Sequence, residues 1–156
     1  MGFDLSGMNP NLTQPQPPLP ESWNRDDWSD DDQSMYDAYE KWETENSGVY
    51  FRNNVWWWRP LWNFVTSTCD NILTDKDIEQ GTWNNGHKIS KTKATKIAKK
   101  LFRLIKNGDV KTYESERDRF QKGLSDDNWN KSYPFSEDNV REFANFCANS
   151  GGFTIC

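Results

Sequence analysis

The chain has 156 residues, of which 34% are hydrophobic, 28% are charged and 15% are aromatic, and its net charge is −5. This length predicts one small domain, with or without a tail, and excludes most multi-domain machinery. Because each buried aromatic ring removes roughly 150–250 Å² from water, we expect the Phe, Trp and Tyr side chains to form the core, and the aromatic content excludes a disordered chain.

The first 28 residues are rich in proline and in acidic side chains. Residues 9–20 contain five of the seven prolines, and proline has a fixed φ and no backbone N–H for a strand ladder. This composition predicts an extended polyproline-type arm over residues 1–28, followed by a helical domain over residues 29–156. We interpret the arm as a spacer or a strap across its own domain rather than as a ligand for a partner's aromatic groove.

Five later segments have the caps and the apolar periodicity of helices. Ser29 precedes three aspartates at a predicted helix start, and Ser90 and Ser136 are the predicted caps of two further helices. Asn107 and Gly108 predict a left-handed stop. The predicted helices cover about residues 30–47, 60–73, 91–106, 109–121 and 137–150.

The remaining segments predict little further regular structure. Pro60 fits the first position of its helix, and residues 123–133 are typical of a polar loop. Residues 153–156 alternate as a strand does, and we expect them to pair with residues 49–51. The fold class is therefore mainly α: a single small domain of four or five helices around an aromatic core, with at most a minor two-stranded β element.

Charge is distributed unevenly along the chain. Residues 1–48 contain two basic and eleven acidic side chains, whereas residues 83–108 contain eight basic side chains and no acidic one. Either the acidic arm neutralises the basic helix within the fold, or each block faces a separate partner. We favour the first interpretation, because most charged surface needs no partner.

Three consecutive tryptophans, Trp56 to Trp58, cannot all point into one core, so at least one ring should meet a second surface.

The loop from Asn84 to the Ser90 cap resembles an anion site, because a helix start offers unpaired N–H groups and a favourable dipole. Rings that stack on a base and arginines that hold phosphate would complete a nucleotide-like site. The predicted ligand-binding residues are Arg52, Trp56, Trp57, Trp58, Arg59, Asn84, Asn85, His87, Ser90 and Lys91. A wide aromatic core and an ordinary helix cap explain the same residues without a ligand.

An alternative function is nucleic-acid binding through the basic face of the helix over residues 90–106. This face contains Lys96, Lys99, Lys100, Arg103 and Lys106. The sequence pI of about 4.9 opposes this alternative, because a polyanion is repelled by the rest of the chain.

Catalytic and metal-binding patterns are weak. Cys69, Cys147 and Cys156 form no C-x-x-C pair, and with His87 they match zinc only in residue type. His87 is the single histidine, and nothing in the sequence places it beside a nucleophile. We therefore expect a protein without enzymatic activity, metal or cofactor.

The sequence has no stretch of about 18 apolar residues and no secretory signal, which predicts a cytoplasmic protein without a membrane partner.

Residues 54–62, 89–98 and 133–156 resemble small uncharacterised proteins of tailed bacteriophages, and the likeness covers about residues 48–156. This resemblance implies a phage origin and a location in the host cytoplasm. It also implies binding to a host protein, which the phage protein inhibits, or sequestration of a small anionic ligand. A third possibility is a virion or assembly component, in which the arm of residues 1–28 joins copies of the chain into a homo-oligomer.

Overall fold

The fold is built on a small antiparallel sheet that carries helices between its strands. The structure is a computed structural model that describes residues 1–22 and 24–156. The four strands are β1 (Gly2–Gly7), β2 (Tyr50–Asn54), β3 (His87–Ile89) and β4 (Phe153–Ile155). The six α-helices in this part of the chain are α1 (Asp30–Glu45), α2 (Val55–Thr68), α3 (Asp75–Gln80), α4 (Lys91–Lys106), α5 (Asp109–Lys122) and α6 (Glu137–Asn149). Two 3₁₀ turns cover Arg25–Asp27 and Trp129–Ser132.

The mainly α class with a minor β element is confirmed, but the sheet is larger than predicted. Its strand order is β2-β1-β4-β3, and Leu5 of β1 lies opposite both Phe51 of β2 and Ile155 of β4. The predicted pairing of residues 153–156 with 49–51 is wrong, because β1 lies between β4 and β2. Strand β1 alternates buried Phe3 and Leu5 with more exposed residues, and two apolar residues are too weak a period-2 signal to detect in the sequence.

The predicted helix caps at Ser29, Ser90 and Ser136 are confirmed. Each serine side chain accepts a hydrogen bond from the backbone N–H three residues later, which satisfies one of the free donors of the first turn. Gly108 has a φ of +83°, so the left-handed turn between α4 and α5 is also as predicted.

Helix α2 begins earlier than predicted and also ends earlier. The Asn54 side-chain oxygen accepts hydrogen bonds from the backbone N–H groups of Trp56 and Trp57, each at 3.1 Å, and so caps a helix that starts at Val55. Pro60 therefore lies inside the helix, which gives up one backbone hydrogen bond there.

Helix α3 was not predicted. A capping box stabilises the start of this short helix: the Thr74 side chain accepts from the Asp77 backbone N–H, and the Asp77 side chain accepts from the Thr74 backbone N–H.

The core is aromatic, as expected, and the ring of Trp58 lies at its centre with no exposed surface. This ring stacks on Phe3 at 5.3 Å and on Trp62 at 5.2 Å, and its edge meets Phe143 at 5.8 Å. The indole N–H donates to the Gly81 carbonyl at 2.9 Å, so the buried polar atom is satisfied. The three consecutive tryptophans diverge, because Trp57 is half-buried and Trp56 is exposed.

The segment that follows β1 runs across the domain as a strap. The backbone N–H groups of Met8, Asn9 and Asn11 donate to carbonyls of residues 149–152 at 2.8–3.0 Å. Farther along, the Trp42 indole N–H of α1 donates to the Gln14 carbonyl at 2.9 Å. These bonds attach the proline-rich segment to α6 on one side and to α1 on the other.

None of the helices in residues 1–22 and 24–156 has both the length and the apolar character that crossing a bilayer requires.

Replacing the central ring tests the role of Trp58 in stability. We expect Trp58→Ala to lower the free energy of unfolding by about 3–5 kcal/mol, because it leaves a large cavity and an unpaired Gly81 carbonyl. Urea denaturation followed by circular dichroism measures this change. Trp83→Ala is the matched control, since Trp83 is 59% exposed and should change stability by less than about 1 kcal/mol. Equal effects of the two substitutions would contradict the assignment.

Candidate functional site

A cavity of about 200 Å³ opens between α2, α5 and the 3₁₀ turn near residue 130. Its lining combines cationic, aromatic and amide side chains. We call it the arginine pocket, and its residues are Arg59, Pro60, Asn63, Arg117, Phe120, Gln121, Trp129, Asn130 and Tyr133.

Tyr133 organises the arginine pocket. Its hydroxyl accepts a hydrogen bond from Arg59 Nη1 at 2.9 Å, and its carbonyl accepts from Arg117 Nη2 and from Gln121 Nε2, both at 2.7 Å. Gln121 Nε2 also donates to the Asn130 carbonyl at 3.0 Å. Helices α2 and α5 therefore each present a guanidinium to Tyr133, α2 at its hydroxyl and α5 at its backbone carbonyl.

The pocket is electropositive and has exposed rings at its edge. Neither Arg59 nor Arg117 forms an ion pair with a described carboxylate. Arg117 also packs its guanidinium over the Phe135 ring at 5.9 Å. Phe120 and Trp129 are 64% and 63% exposed. Such a site can hold an anion with its cations and stack a planar group on its rings.

Part of the predicted ligand site reaches this pocket. Arg59 lines it, and the Trp56 ring lies 5.0 Å from the ring of Tyr133. Trp58 is buried in the core, so its ring has no surface to offer a ligand. Arg52 lies on β2, with its Nε 3.4 Å from the Asp4 carboxylate.

The predicted loop residues have local partners and do not line the arginine pocket. Asn84 Nδ2 donates to the Gly2 carbonyl, and Asn85 Nδ2 donates to the Gln80 side chain, both at 3.0 Å. Ser90 caps α4, and Lys91 is exposed in the first turn of that helix. The structure therefore does not bring the two halves of the predicted site together.

His87 belongs to a different cluster, in which a buried carboxylate joins three elements. Asp77 of α3 is 4% exposed; its Oδ1 lies 2.9 Å from His87 Nε2 of β3, and its Oδ2 accepts from Lys93 Nζ of α4. The Thr74 backbone N–H and hydroxyl also donate to this carboxylate, each at 2.9 Å. Burial raises the pKa of Asp77, but the hydrogen bonds from Lys93, Thr74 and His87 outweigh burial and leave this pKa well below its ordinary value.

Two of the three cysteines, Cys69 and Cys147, lie in surroundings that suppress thiol chemistry. Burial raises the pKa of both Cys69 and Cys147, so these thiols stay protonated and are poor nucleophiles. Cys156 is exposed at the end of the chain. Within the part of the chain that the structure describes, no group of three or more His, Cys, Asp or Glu side chains is arranged to hold a metal ion.

The basic face of α4 lines a separate groove of about 360 Å³, which we call the basic groove. Lys96, Lys99, Lys100 and Arg103 line it together with Asn71 and Ile72. Lys106 is exposed at the end of the same helix.

Sequence reasoning missed most of the arginine pocket. The missed residues are Pro60, Asn63, Arg117, Phe120, Gln121, Trp129, Asn130 and Tyr133. One available signal was the spacing of Arg117, Phe120 and Gln121, which places them on one face of α5. A second signal was the presence of Trp129 and Tyr133 in an otherwise polar segment, because aromatic residues are uncommon in solvated loops.

Comparison with protein-family models, with curated proteins and with solved structures finds no match to this chain. The functional argument therefore depends on the geometry of the chain itself.

The lowered pKa of Asp77 predicts how stability depends on pH. A carboxylate whose pKa is lower in the folded state stabilises the fold above its unfolded pKa of about 3.9 and loses this contribution as the pH falls toward the folded value. We expect Asp77→Asn to lower the free energy of unfolding by about 3 kcal/mol at pH 7, because Lys93 loses its partner. The difference from the wild type should shrink steadily below about pH 4.

Urea denaturation at a series of pH values measures this difference. Asp75→Asn is the matched control, since Asp75 is an exposed carboxylate in the first turn of the same helix. A loss of stability in Asp77→Asn that is the same at pH 7 and at the acidic end of the series would show that the charge of Asp77 is not the cause.

Proposed function

We propose that the protein is a non-enzymatic binding protein that holds a small anionic, nucleotide-like ligand in the arginine pocket. The observation that carries this proposal is the convergence of Arg59 and Arg117 on Tyr133 beside the exposed rings of Phe120 and Trp129. Two guanidiniums without a carboxylate partner are suited to phosphate, because their planar N–H groups match pairs of phosphate oxygens.

The size of the pocket determines which part of the ligand it holds. Pockets that enclose drug-sized molecules measure roughly 300–1,000 Å³. A cavity of about 200 Å³ is smaller, so we expect the phosphate to sit between the arginines while the base lies at the rim against Trp129 or Phe120. Stacking of a base on an aromatic side chain contributes about 1–3 kcal/mol and accepts any base.

The chemistry of the lining favours binding over catalysis. The described residues of the pocket supply guanidinium, amide, aromatic and phenol groups. A hydrolytic step on a nucleotide needs a positioned general base or a metal ion, and the pocket lining has no His, Asp, Glu or Cys to fill either role. This composition is what a protein that sequesters its ligand requires.

We favour this pocket over a nucleic-acid interface on α4. The basic groove has cations but no aromatic ring among its lining residues, so it lacks the stacking surface that single strands use. A phage origin, a host protein as the inhibited partner and a host-cytoplasmic location stay predictions from the sequence.

Nucleotide binding is tested by isothermal titration calorimetry with AMP, GMP, CMP and UMP, with adenosine and inorganic phosphate as partial ligands. We expect at least one monophosphate to bind more tightly than either partial ligand. Arg59→Ala should weaken that binding by about tenfold or more, because a hydrogen bond to a charged group contributes about 1.5–3 kcal/mol. Trp129→Ala should weaken it by a similar factor.

Arg119→Ala is the matched control for these titrations. Arg119 is an exposed arginine of α5 outside the pocket, so its removal should leave the affinity unchanged. Failure of all four monophosphates to bind, or an equal loss of affinity in Arg119→Ala and Arg59→Ala, would overturn the proposed function.

A further inference from the structure

The basic groove is a second charged surface, and it is independent of the arginine pocket. Its four cations, Lys96, Lys99, Lys100 and Arg103, form no ion pair within 4.0 Å with any carboxylate in the described part of the chain. They lie on one face of α4, whose opposite face is buried in the core. A concave surface that concentrates four positive charges attracts an anionic partner.

Helix α1 has the complementary charge. Asp30, Asp31, Asp37 and Glu40 are exposed, and Trp42 is the single buried residue of this helix. The one ion pair along α1 joins Lys41 to Glu45 at 3.9 Å, so the exposed acids have no cationic partner within this distance in the described residues.

The two surfaces do not meet within one chain. Helix α1 leads into β2, which is one edge of the sheet, whereas α4 follows β3, which is the opposite edge. No ion pair in residues 1–22 and 24–156 joins α1 to α4. The expected neutralisation of the basic helix by the acidic segment is therefore not seen among the described residues.

We propose that the basic groove binds the acidic face of α1 from a second copy of this chain. At 1.5 Å per residue, Asp30 to Glu40 covers about 15 Å along α1 and Lys96 to Arg103 covers about 10 Å along α4, so the acidic face is long enough to cover the basic one. Every copy carries both surfaces, so a reciprocal exchange about a two-fold axis closes a dimer. The groove lacks the exposed rings of a single-strand site, and charge complementarity favours the acidic helix as its occupant.

Sedimentation velocity of the full chain at increasing salt concentration tests this association. We expect a dimer near 0.1 M salt and a shift to the monomer at about 1 M, where the Debye length falls to about 3 Å. Triple charge reversal in the groove, Lys96→Glu with Lys99→Glu and Arg103→Glu, should yield a monomer at low salt. Triple reversal in α1, Asp30→Lys with Asp37→Lys and Glu40→Lys, should yield the same result.

The chain that combines both sets of reversals provides the decisive variant. It restores opposite charges across the contact, so it should dimerise at low salt, while circular dichroism verifies that each variant is folded. The matched control reverses three exposed cations outside the groove, Lys76→Glu, Lys88→Glu and Lys122→Glu. This control has the same net charge as the groove variant and should remain a dimer.

Three results would overturn the inference. The first is a wild-type monomer at low salt up to the solubility limit. The second is a combined reversal chain that is folded but stays monomeric, since this shows that complementary charge is not the cause. The third is binding of a fluorescein-labelled single-stranded DNA to the wild-type monomer and to the control variant but not to the groove variant. This result would assign the groove to nucleic acid. The charge reversals lie outside the arginine pocket, so the groove variant should bind AMP with the affinity of the wild type. This titration separates a failure of the dimer inference from a failure of the proposed function.

Discussion

The position of helix α2 depends on the burial of one indole ring. Trp58 stacks between Phe3 of β1 and Trp62 of its own helix, and its N–H bonds to the Gly81 carbonyl ahead of β3. A ring with these contacts on both faces and at its polar edge has one orientation that satisfies all of them. Once Trp58 points inward, the 100° rotation per residue turns Trp56 and Arg59 toward α5 and Tyr133. The arginine pocket is in this sense a consequence of the core.

A second constraint acts at the β3 edge of the sheet. The Asp77 carboxylate receives hydrogen bonds from Thr74 in its own helix and is bonded to His87 of β3 and Lys93 of α4. A buried carboxylate is costly unless its oxygens are paired, and here both oxygens are occupied. The cluster therefore fixes the start of α4 relative to α3 and β3. His87 is the single imidazole of the chain, and its Nε2 faces the Asp77 carboxylate in this structural cluster.

The two charged surfaces of the molecule differ in chemistry as well as in place. The arginine pocket has planar guanidiniums, a tyrosine and exposed rings, a combination suited to one small ligand with a phosphate and a base. The basic groove has mainly lysines, whose compact charges accept an acidic surface with little demand on geometry. Small anions and acidic helices therefore need not compete for the same site. Both surfaces coexist with a net charge of −5, because the excess acid lies mostly before residue 48.

Features that depend on neighbours a few residues apart could be predicted from the sequence. Serine caps, the left-handed Gly108 turn and the amphipathic α4 all follow from contacts within one or two helical turns, and each was predicted correctly. Features that join distant segments could not be predicted in this way, because they form only when the chain is folded. Strand β1 became central because its partners lie in β2 and β4, and the arginine pocket formed because Arg59 and Arg117 come from separate helices. No local periodicity encodes such pairings, since they depend on how the aromatic core orients each element.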